Sequence, residues 1–354
     1  MEDIRENGRI LTTATQYVSE KAVKGKLFPA DSIIIATSAT IGEHALIKVP
    51  SLANQRFTYL TLKDEFKDCV DMMFVFYYCF RLDEYCKSHL NQGNFASVDM
   101  KQFAAFKFPV PPLPVQCEIV RILDNFTELT AELTAELTAR RKQYEYYRDE
   151  LLVFDQSTPK IELRNIVKKS CSGATPIKGN SEYYENGTIP WIRTQDVRFN
   201  EIYTVDSYIT ERAVEETAAK WIPENCVIVA ISGASAGRCA INKIKATTNQ
   251  HCLNMEIDDS KALYKYVYYC VAAQYEELLA RKQGARGDLN SSLILSIKIP
   301  VPPLEEQHRI VSILDRFDAL CNDLTSGLPA EIEARKKQYE YYRDKLLTFQ
   351  EAKI

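Results

Sequence analysis

The sequence predicts a chain of α/β (α+β) modules, in which two modules in pseudo-twofold arrangement are separated by two long antiparallel coiled-coil helices. Three observations predict this fold class: most of the chain occurs twice, each copy carries short β-branched runs beside helical segments, and each copy ends in a heptad pattern. A length of 354 residues is too great for one ordinary core. The predicted boundaries are 1–108 for the first module, 109–158 for the central helix, 159–299 for the second module and 300–354 for the distal helix.

The duplication spans about 190 residues, far more than the repeat unit of a solenoid. Asn54 and Gln55 match Asn249 and Gln250, and we interpret these amides as loop-stabilising rather than base-reading. The longer matches are FPVPPLPVQCEIVRILD (108–124) with IPVPPLEEQHRIVSILD (299–315), RKQYEYYRDELL (141–152) with KKQYEYYRDKLL (336–347), YVSEKAV (17–23) with YITERAV (208–214), and LFPADSIIIA (27–36) with WIPENCVIVA (221–230). Each copy therefore has a variable region followed by a well-matched segment.

The variable regions predict mixed α/β structure. SIIIA and CVIVA are β-branched runs that end in a small residue, which is typical of buried strands. YVSEKAV and YITERAV are predicted to form short helices. The aromatic stretches at 72–86 and 264–280 are long and periodic enough for buried helices, and their stripes indicate core packing rather than a platform for stacked bases.

The well-matched segments open with Pro-Val-Pro-Pro-Leu, which predicts a stiff corner, and continue as a helix. A helix from Ile119 to Leu151 would be about 50 Å long. The second copy is longer by four residues, and Gly327 and Pro329 beside the extra residues predict a kink. The heptad positions are Ile119, Leu123, Phe126, Leu133, Leu137, Tyr144, Tyr147 and Leu151 in the first copy, and Ile310, Leu314, Phe317, Leu324, Leu328, Arg335, Tyr339, Tyr342 and Leu346 in the second.

The stretch ELTAELTAELTA, residues 128–139, repeats a four-residue unit inside the first predicted helix. Each unit keeps one leucine per turn and lengthens the helix by about 6 Å. The repeat therefore indicates a helix whose length is adjustable in fixed steps. The alternative is an ordinary surface helix in which four codons were duplicated.

The amino-acid composition limits the classes of protein to which the chain could belong. The apolar fraction of 46% and charged fraction of 26% are those of a globular chain, and no apolar run is long enough to span a membrane. The ten cysteines include no C-x-x-C pair, and the amino terminus lacks a secretory pattern, so we predict reduced thiols and a cytoplasmic location. The net charge of −4 decides neither for nor against nucleic-acid binding.

Catalytic motifs are missing from the sequence. It has no Gly-x-Gly-x-x-Gly, no Walker A sequence and no His/Cys cluster with metal spacing. The [Asn/Asp]-Pro-Pro-aromatic motif of amino-methyltransferases is also missing, because Val-Pro-Pro-Leu lacks the polar first residue. His251 and His308 stand singly in polar contexts. The sequence therefore predicts a non-catalytic chain with no cofactor or metal of its own.

Taken together, the two well-matched segments, the two QYEYYRD motifs (143–149 and 338–344) and the TAEL repeats resemble the specificity subunit of type I restriction–modification systems. The stretch 173–197 also looks like the start of a target-recognition domain of that family. The resemblance implies that each module reads one half of a bipartite site in double-stranded DNA. It further implies that the helices separate the modules and bind two methyltransferase subunits. Restriction subunits would join the same complex. These partner chains would use S-adenosylmethionine and ATP.

The first module departs from the pattern at its amino-terminal side. Met1 to Ile4 align with Thr194 to Val197, so the first copy has no counterpart of about residues 160–193. We therefore expect an incomplete or rearranged first module that is less stable than the second. The alternative to recognition of two half-sites is an inactive truncated allele without DNA specificity.

DNA contacts are expected from Arg, Lys, Asn, Gln, Ser and Thr on loops. Loops that differ between the copies are the better candidates, because the two modules would read different bases. SGASAGR (232–238) stands opposite TSATIG (37–42), QGARGDLN (283–290) stands opposite QGNFAS (92–97), and a third candidate follows WIRT. The DNA-binding candidates are Thr37, Ser38, Thr40, Arg56, Asn94, Arg193, Thr194, Gln195, Ser232, Ser235, Arg238, Arg281, Lys282, Arg286 and Asn290.

The QYEYYRD motifs supply candidates for partner contact, since Tyr and Arg are favoured at interface hot spots. Tyr146, Arg148, Tyr341 and Arg343 lie off the heptad seam and are predicted to face a methyltransferase subunit. Two rival functions stay open at this point. A free-standing DNA methyltransferase would methylate without partners, and a coiled-coil scaffold would show no sequence preference.

Overall fold

The computed structural model describes residues 2–23, 25–91, 96–281, 288–323 and 325–349. The chain divides into two compact units, the first formed by Met1–Thr134 with Ile332–Ile354 and the second by Ala135–Glu331. Within the described residues, no helix has both the length and the apolar character needed to cross a membrane. The predicted Lys282, Arg286 and Asn94 lie outside the described residues.

The first unit is built on one four-stranded sheet in the order β1-β3-β2-β4. β1 pairs parallel with β3, whereas β2 pairs antiparallel with both β3 and β4. Its elements, up to the long helix that continues into the second unit, are α1 (Glu2–Asn7), β1 (Ile10–Leu11), β2 (Ser32–Ala36), β3 (His44–Ile47), β4 (Phe57–Thr61), α2 (Met72–Ser88), α3 (Met100–Ala105) and α4 (Leu113–Leu151).

Helix α2 covers one face of this sheet, as its aromatic stripe predicts. Ile33 and Ile35 of β2 are fully buried and pack in one cluster with Phe74 and Phe76 of α2. The carboxylate of Asp71 accepts hydrogen bonds from the first backbone N–H groups of α2 and so caps its start. The aromatic residues of 72–86 are therefore core residues, as predicted.

Helix α4 begins directly after the proline corner and contains all of the helix predicted from Ile119 to Leu151. Three of its threonines fit the helix because the hydroxyl donates to the carbonyl four residues earlier, at 3.0 Å from Thr127, 2.8 Å from Thr130 and 2.7 Å from Thr134. The acceptor for Thr134 is the carbonyl of Thr130, so one TAEL unit bonds to the next.

The second unit holds a five-stranded sheet, β6-β14-β11-β12-β8, a four-stranded sheet, β10-β13-β7-β9, and the pair β15-β5. Its strands are β5 (Lys160–Glu162), β6 (Val167–Ser172), β7 (Ile189–Ile192), β8 (Asn200–Ile202), β9 (Tyr208–Ile209), β10 (Trp221–Ile222), β11 (Val227–Ala230), β12 (Cys239–Asn242), β13 (Ala246–Thr248), β14 (Cys252–Ile257) and β15 (Lys298–Pro300). Its helices are α5 (Glu211–Glu216), α6 (Tyr264–Ala273), α7 (Tyr275–Ala280), α8 (Ser291–Leu295) and α9 (Leu304–Asn322), and α10 (Leu328–Leu346) begins in this unit.

Two helix predictions were wrong in detail. The single helix predicted over 264–280 is broken at Gln274, whose backbone leaves the helical region between α6 and α7. YVSEKAV forms only the 3-10 turn Glu20–Ala22. In the other copy Thr210 caps α5 through its side chain, whereas Ser19 at the aligned position makes no such bond.

The distal helix is interrupted, rather than merely kinked, at the predicted position. α9 ends at Asn322 and α10 begins at Leu328. A Cβ added at Gly327 would lie 2.6 Å from the carbonyl oxygen of Ala319, so this backbone approach requires glycine. Both carboxylate oxygens of Asp323 accept hydrogen bonds from the turn, at 2.6 Å from the Thr325 hydroxyl and 2.5 Å from the Ser326 hydroxyl.

A buried glutamine anchors each well-matched helix start to its module. The Gln116 side chain accepts from the Asp71 N–H at 2.8 Å and donates to the carbonyls of Cys69, at 2.9 Å, and Pro111, at 2.7 Å. Gln307, fully buried like Gln116, repeats this pattern in the second unit, where it accepts from the Leu263 N–H at 2.9 Å and donates to the carbonyls of Lys261 and Pro302.

A buried tyrosine makes a second anchor beside each glutamine. The Tyr77 hydroxyl donates to Asp124 at 2.5 Å, and the Tyr269 hydroxyl donates to Asp315 at 2.6 Å. Burial and these hydrogen bonds hold the pKa of both phenols well above the usual range. Asp315 also pairs with Lys265 at 2.8 Å, so the second unit adds a charge to the same anchor.

Candidate nucleic-acid interface

Loops from the five-stranded and four-stranded sheets of the second unit meet at one edge of the module. The Asn249 N–H donates to the carbonyl of Ile192 at 3.0 Å, and the Ile231 N–H donates to the carbonyl of His251 at 2.9 Å. The 3-10 turn Thr194–Asp196 after β7 contacts the 3-10 turn Gly233–Ser235 between β11 and β12. The WIRT and SGASAGR candidates therefore form one surface, which we call the loop edge.

Two glycines shape the β11–β12 loop of the loop edge. Both have positive φ, +71° at Gly233 and +91° at Gly237. A Cβ at Gly237 would lie 3.2 Å from the Tyr275 ring, whereas one at Gly233 would meet open space. Gly237 thus lets the loop pack on α7, and Gly233 leaves a bare backbone that another molecule can approach closely.

Arg193 is the most constrained cation of the loop edge. Its backbone N–H donates to Asp196 at 2.8 Å, which closes the turn, and its guanidinium lies 5.8 Å from the centre of the Trp191 ring. Its Nε is buried and has no hydrogen-bond partner among the described residues. Arg193 as a whole is half-buried. A guanidinium held against an aromatic ring can bind a phosphate or a guanine edge through its terminal N–H groups.

The other loop-edge candidates differ in how free their side chains are. Ser232, Ser235 and Arg238 are half-buried, and the Ser235 carbonyl accepts from the Arg238 N–H at 3.0 Å. Gln195 is exposed and Thr194 is half-buried. The structure thus brings the residues of both predicted loops together while leaving polar side chains at the surface.

The side chains of Asn290 and Arg281 make contacts within the fold that the sequence did not indicate. The Asn290 side chain accepts from the Leu293 N–H at 2.7 Å and so caps α8. The preceding Leu289 N–H donates to the Ile231 carbonyl at 2.8 Å, which places this cap beside the loop edge. Arg281 forms an ion pair with Glu277 one turn earlier on α7.

Three of the predicted residues of the first unit line a cleft of about 370 Å³. Arg56 shares it with Ser38 and Thr40, and α1 adds charges of both signs through Glu2 and Arg5. Thr37 does not line this cleft, since its hydroxyl faces the sheet and lies 3.3 Å from the Thr58 hydroxyl.

The asparagines that match between the copies stabilise the same turn in both units. The Asn54 side chain accepts from the N–H of Arg56 at 3.0 Å, and the Asn249 side chain accepts from the N–H of His251 at 3.1 Å. This geometry is that of an Asx turn, in which the side-chain oxygen is already used. It supports a structural role for these two amides.

The partner-contact candidates separate into tyrosines and arginines. Tyr146 is 60% exposed and Tyr341 is 62% exposed, so both aromatic rings are available to another chain. Arg343 packs instead, with its guanidinium 4.6 Å from the centre of the Phe80 ring and bonded to Asp344. Arg148 is also largely covered and pairs with the neighbouring Asp149 at 2.8 Å.

Two buried thiols of the second module are poorly suited to chemistry, Cys252 next to the loop edge and Cys226 at the opposite end of β11. Burial raises the pKa of Cys226 and of Cys252 to about 12, so both stay protonated and unreactive near neutral pH. Among the described residues, no group of three or more His, Cys, Asp or Glu side chains is placed to hold a metal ion.

The glutamine and tyrosine anchors escaped the sequence analysis although their signal was present. Gln116 and Gln307 occupy the same position of the matched segment, as do Asp124 and Asp315. An internal duplication that preserves polar residues next to apolar ones indicates buried hydrogen bonds.

Comparisons with known proteins agree with this architecture. The family model for the type I restriction modification DNA specificity domain matches residues 3–140 and 159–334. The chain is similar to the specificity subunits of two type I restriction enzymes of Escherichia coli. One is 40% identical over 275 residues, which cover 74% of this chain and 68% of that protein. The other, of the EcoprrI enzyme, is 39% identical over 341 residues, 92% of this chain and 80% of that protein.

A solved structure supports the same fold. The type I restriction–modification S subunit from M. genitalium aligns with 97% of this chain and 89% of its own length, with a TM-score of 0.55 at 16% sequence identity. At that identity the likeness shows the fold alone. The matching architecture has two recognition domains, and the long helix and the later helix of this chain belong to it.

Proposed function

This chain belongs to the type I restriction–modification DNA specificity family, and from this premise we propose that its two modules read the two halves of one bipartite DNA site. It is a DNA-recognition specificity subunit and is non-catalytic, because catalysis in these systems is carried by other subunits. The loop edge carries the proposal for the second half-site, since the turn that follows Arg193 contacts the turn between Ser232 and Arg238.

The well-matched helices supply the spacing in this proposal. In the first unit the Phe126 ring stacks on Tyr342, with centroids 5.5 Å apart. In the second unit the Tyr147 ring stacks on Phe317, also at 5.5 Å. These two aromatic pairs occupy equivalent positions in the two copies. Each pair joins a residue near the start of one well-matched segment to a residue near the end of the other. This pattern supports an antiparallel coiled-coil pair. The number of TAEL units would set the length of that pair.

The partners we propose are double-stranded DNA, two methyltransferase subunits and restriction subunits, all in the cytoplasm. Tyr146 and Tyr341 support two equivalent docking sites, because the duplication places the same exposed ring in each copy. Methylation would depend on the partner chains, which bring S-adenosylmethionine.

An insertion tests the spacing role directly. One extra Thr-Ala-Glu-Leu unit after Leu137 adds about 6 Å of helix, against about 3.4 Å per DNA base pair. We expect methylated sites, mapped in cells that also carry the methyltransferase subunit, to keep both half-sites and to gain one or two base pairs between them. The control is Thr134→Ala, which alters the repeat without changing its length. Sites with an unaltered gap would end the proposal, and a lack of any shared sequence would favour a scaffold.

A further inference from the structure

The short connection between β13 and β14 lies between the two loops of the loop edge. The N–H of its first residue, Asn249, donates to the carbonyl of Ile192 on the side of the WIRT stretch, at 3.0 Å. The carbonyl of its third residue, His251, accepts from the N–H of Ile231 beside the SGASAGR loop, at 2.9 Å. Gln250 stands between these two anchors and is exposed. Its side chain therefore starts from the middle of the surface proposed to face DNA.

The two neighbouring amides of this connection are used differently. Asn249 is 8% exposed, and its side-chain oxygen accepts from the His251 N–H and so closes the turn. The Gln250 amide bonds to side chains instead. Its Oε1 accepts from the Thr175 hydroxyl at 2.6 Å, and its Nε2 donates to Nε2 of His251 at 3.1 Å. An exposed amide that is bonded at both its oxygen and its nitrogen is held in one orientation.

The hydroxyl of Thr175 is delivered by a segment that packs closely on β13. A Cβ added at Gly173 would lie 1.8 Å from the carbonyl oxygen of Thr248, so this approach requires glycine. The Ala174 N–H donates to the same carbonyl at 3.0 Å. The Ala174 carbonyl accepts from the indole N–H of Trp191 at 3.1 Å. The hydroxyl that orients the glutamine therefore stands on a backbone fixed at several points.

The bonds within the module leave part of the Gln250 amide unused. Oε1 has two lone pairs and Nε2 has two N–H groups, and each atom has one partner among the described residues. One acceptor site and one donor site therefore stay available. Adenine presents the complement in the major groove, with N6 as donor and N7 as acceptor, and glutamine binds both. Guanine presents two acceptors there and would leave the amide oxygen unpaired.

The first module shows that these bonds are not needed to form the turn. Asn54 accepts from the Arg56 N–H in the same Asx turn, and Gln55 beside it is exposed. The Gln55 side chain has no hydrogen-bond partner among the described residues. Because the turn closes without an oriented glutamine, the bonds to Gln250 have a purpose other than closing it.

We propose that Gln250 reads one adenine of the second half-site in the major groove, with Thr175 and His251 as positioning residues. The inference rests on the proposed function, because it requires the loop edge to face DNA. It differs from the interpretation of Gln250 as loop-stabilising, which the geometry supports for Asn249. An amide that is oriented before binding loses less side-chain entropy when the base arrives, so the two positioning bonds increase discrimination.

Methylated sites, mapped in cells that carry this chain and its methyltransferase subunit, test the inference. We expect the wild-type chain to require an A·T pair at one position where Gln250→Ala relaxes the preference about tenfold. Gln250→Glu should shift the preference at that position to cytosine, because a carboxylate only accepts and N4 of cytosine donates. Both variants should melt at the wild-type temperature, since the side chain is exposed.

The outcomes separate this inference from the proposed function. An unchanged motif in Gln250→Ala, or a uniform loss of methylation with no relaxed position, would overturn the reading of adenine by Gln250. The bipartite motif, and with it the proposed function, would stand in both cases. A wild-type chain whose sites share no motif would refute the proposed function and the inference together.

A matched pair of variants tests the positioning role of Thr175. Thr175→Val keeps the shape and removes the hydroxyl, whereas Thr175→Ser keeps the hydroxyl. Loss of this hydrogen bond should lower the preference for adenine about threefold in Thr175→Val, at the position that Gln250→Ala relaxes, and Thr175→Ser should retain it. Thr175→Val should add no further relaxation to Gln250→Ala, because the two residues act through one amide. Equal preferences in the valine and serine variants would exclude the positioning role.

Discussion

Ile209 and Thr247 are fully buried in the second module, whereas Val18 and Leu52 at the aligned positions of the first are 64% and 43% exposed. The four shared strands nevertheless keep one order and one set of directions in both modules. Strand order is therefore determined by the strands themselves and by the helix packed on them. Whether the sheet edge is covered depends on a different segment. In the second module that segment is residues 160–193.

A pair of core substitutions would show whether the modules differ only at their edges. Leu123 and Leu314 are aligned and fully buried, so Leu123→Ala and Leu314→Ala should each cost about 2–5 kcal/mol of unfolding free energy. Hydrogen exchange and limited proteolysis resolved by module would measure this. Leu129→Ala, at a 44% exposed position, is the control and should change stability by less than about 0.5 kcal/mol.

The same measurement tests the expected order of stability. Because β4 has only β2 as a neighbour among the described residues, the first module should open at lower free energy and be cleaved first in the unmodified chain. Equal protease resistance of the two modules would contradict this expectation. Similar costs for the two leucine variants, by contrast, would confine the difference to the sheet edge.

Alkaline pH should reduce the difference in stability between the two units. Burial raises the phenol pKa of Tyr59, Tyr77, Tyr78 and Tyr339 in the first unit, and of Tyr144, Tyr184, Tyr266, Tyr268 and Tyr269 in the second. A phenol whose pKa is raised by folding stabilises the fold below its unfolded pKa of about 10, and that contribution is lost as pH rises further.

The second unit holds more of these buried phenols and should therefore lose stability faster above pH 10. Each phenol contributes about 1.4 kcal/mol per pH unit while it titrates only in the unfolded chain. Urea denaturation followed by module between pH 9 and 11 is the measurement. Tyr269→Phe should reduce the slope of unfolding free energy against pH in the second unit only. Equal slopes in both units would rule out the buried phenols as the cause of a difference.

The sequence predicted the parts of the fold whose signal is local. SIIIA and CVIVA became β2 and β11, and the helix over 119–151 was confirmed within α4. The second sheet was not predicted, because strands such as Tyr208–Ile209 and Trp221–Ile222 are too short to show a period of two.

The candidate site was predictable in composition but not in arrangement. The loops that carry Arg193 and Ser232 were named from the sequence, yet their contact depends on strand pairing between distant segments. The packing of Arg343 on Phe80 depends on the same kind of long-range contact, so an arginine chosen for partner binding contributes to the core of its own unit.

Substitutions at the loop edge would compare DNA reading by the two modules. Arg238→Ala should weaken DNA binding by the assembled complex by about 1–3 kcal/mol if the guanidinium contacts a guanine edge. A phosphate contact would instead lower affinity for all sequences and reduce the salt slope by about one. Arg56→Ala in the uncovered first module should cost less. Arg212→Ala, which removes a cation paired with Glu216 at 2.8 Å, is the control.

The smallest expected effect concerns the exposed tyrosines that occupy equivalent positions in the two copies. Tyr146→Ala and Tyr341→Ala should each weaken binding of a methyltransferase subunit by about 1 kcal/mol, because each removes an exposed ring of equal accessibility. Two equal losses, measured by titration with the purified subunit, require two equivalent docking sites. Tyr147→Ala is the matched control, since its ring stacks on Phe317 and serves the helix contact. If only one of the two variants weakened binding, the sequence duplication would not extend to the partner surface.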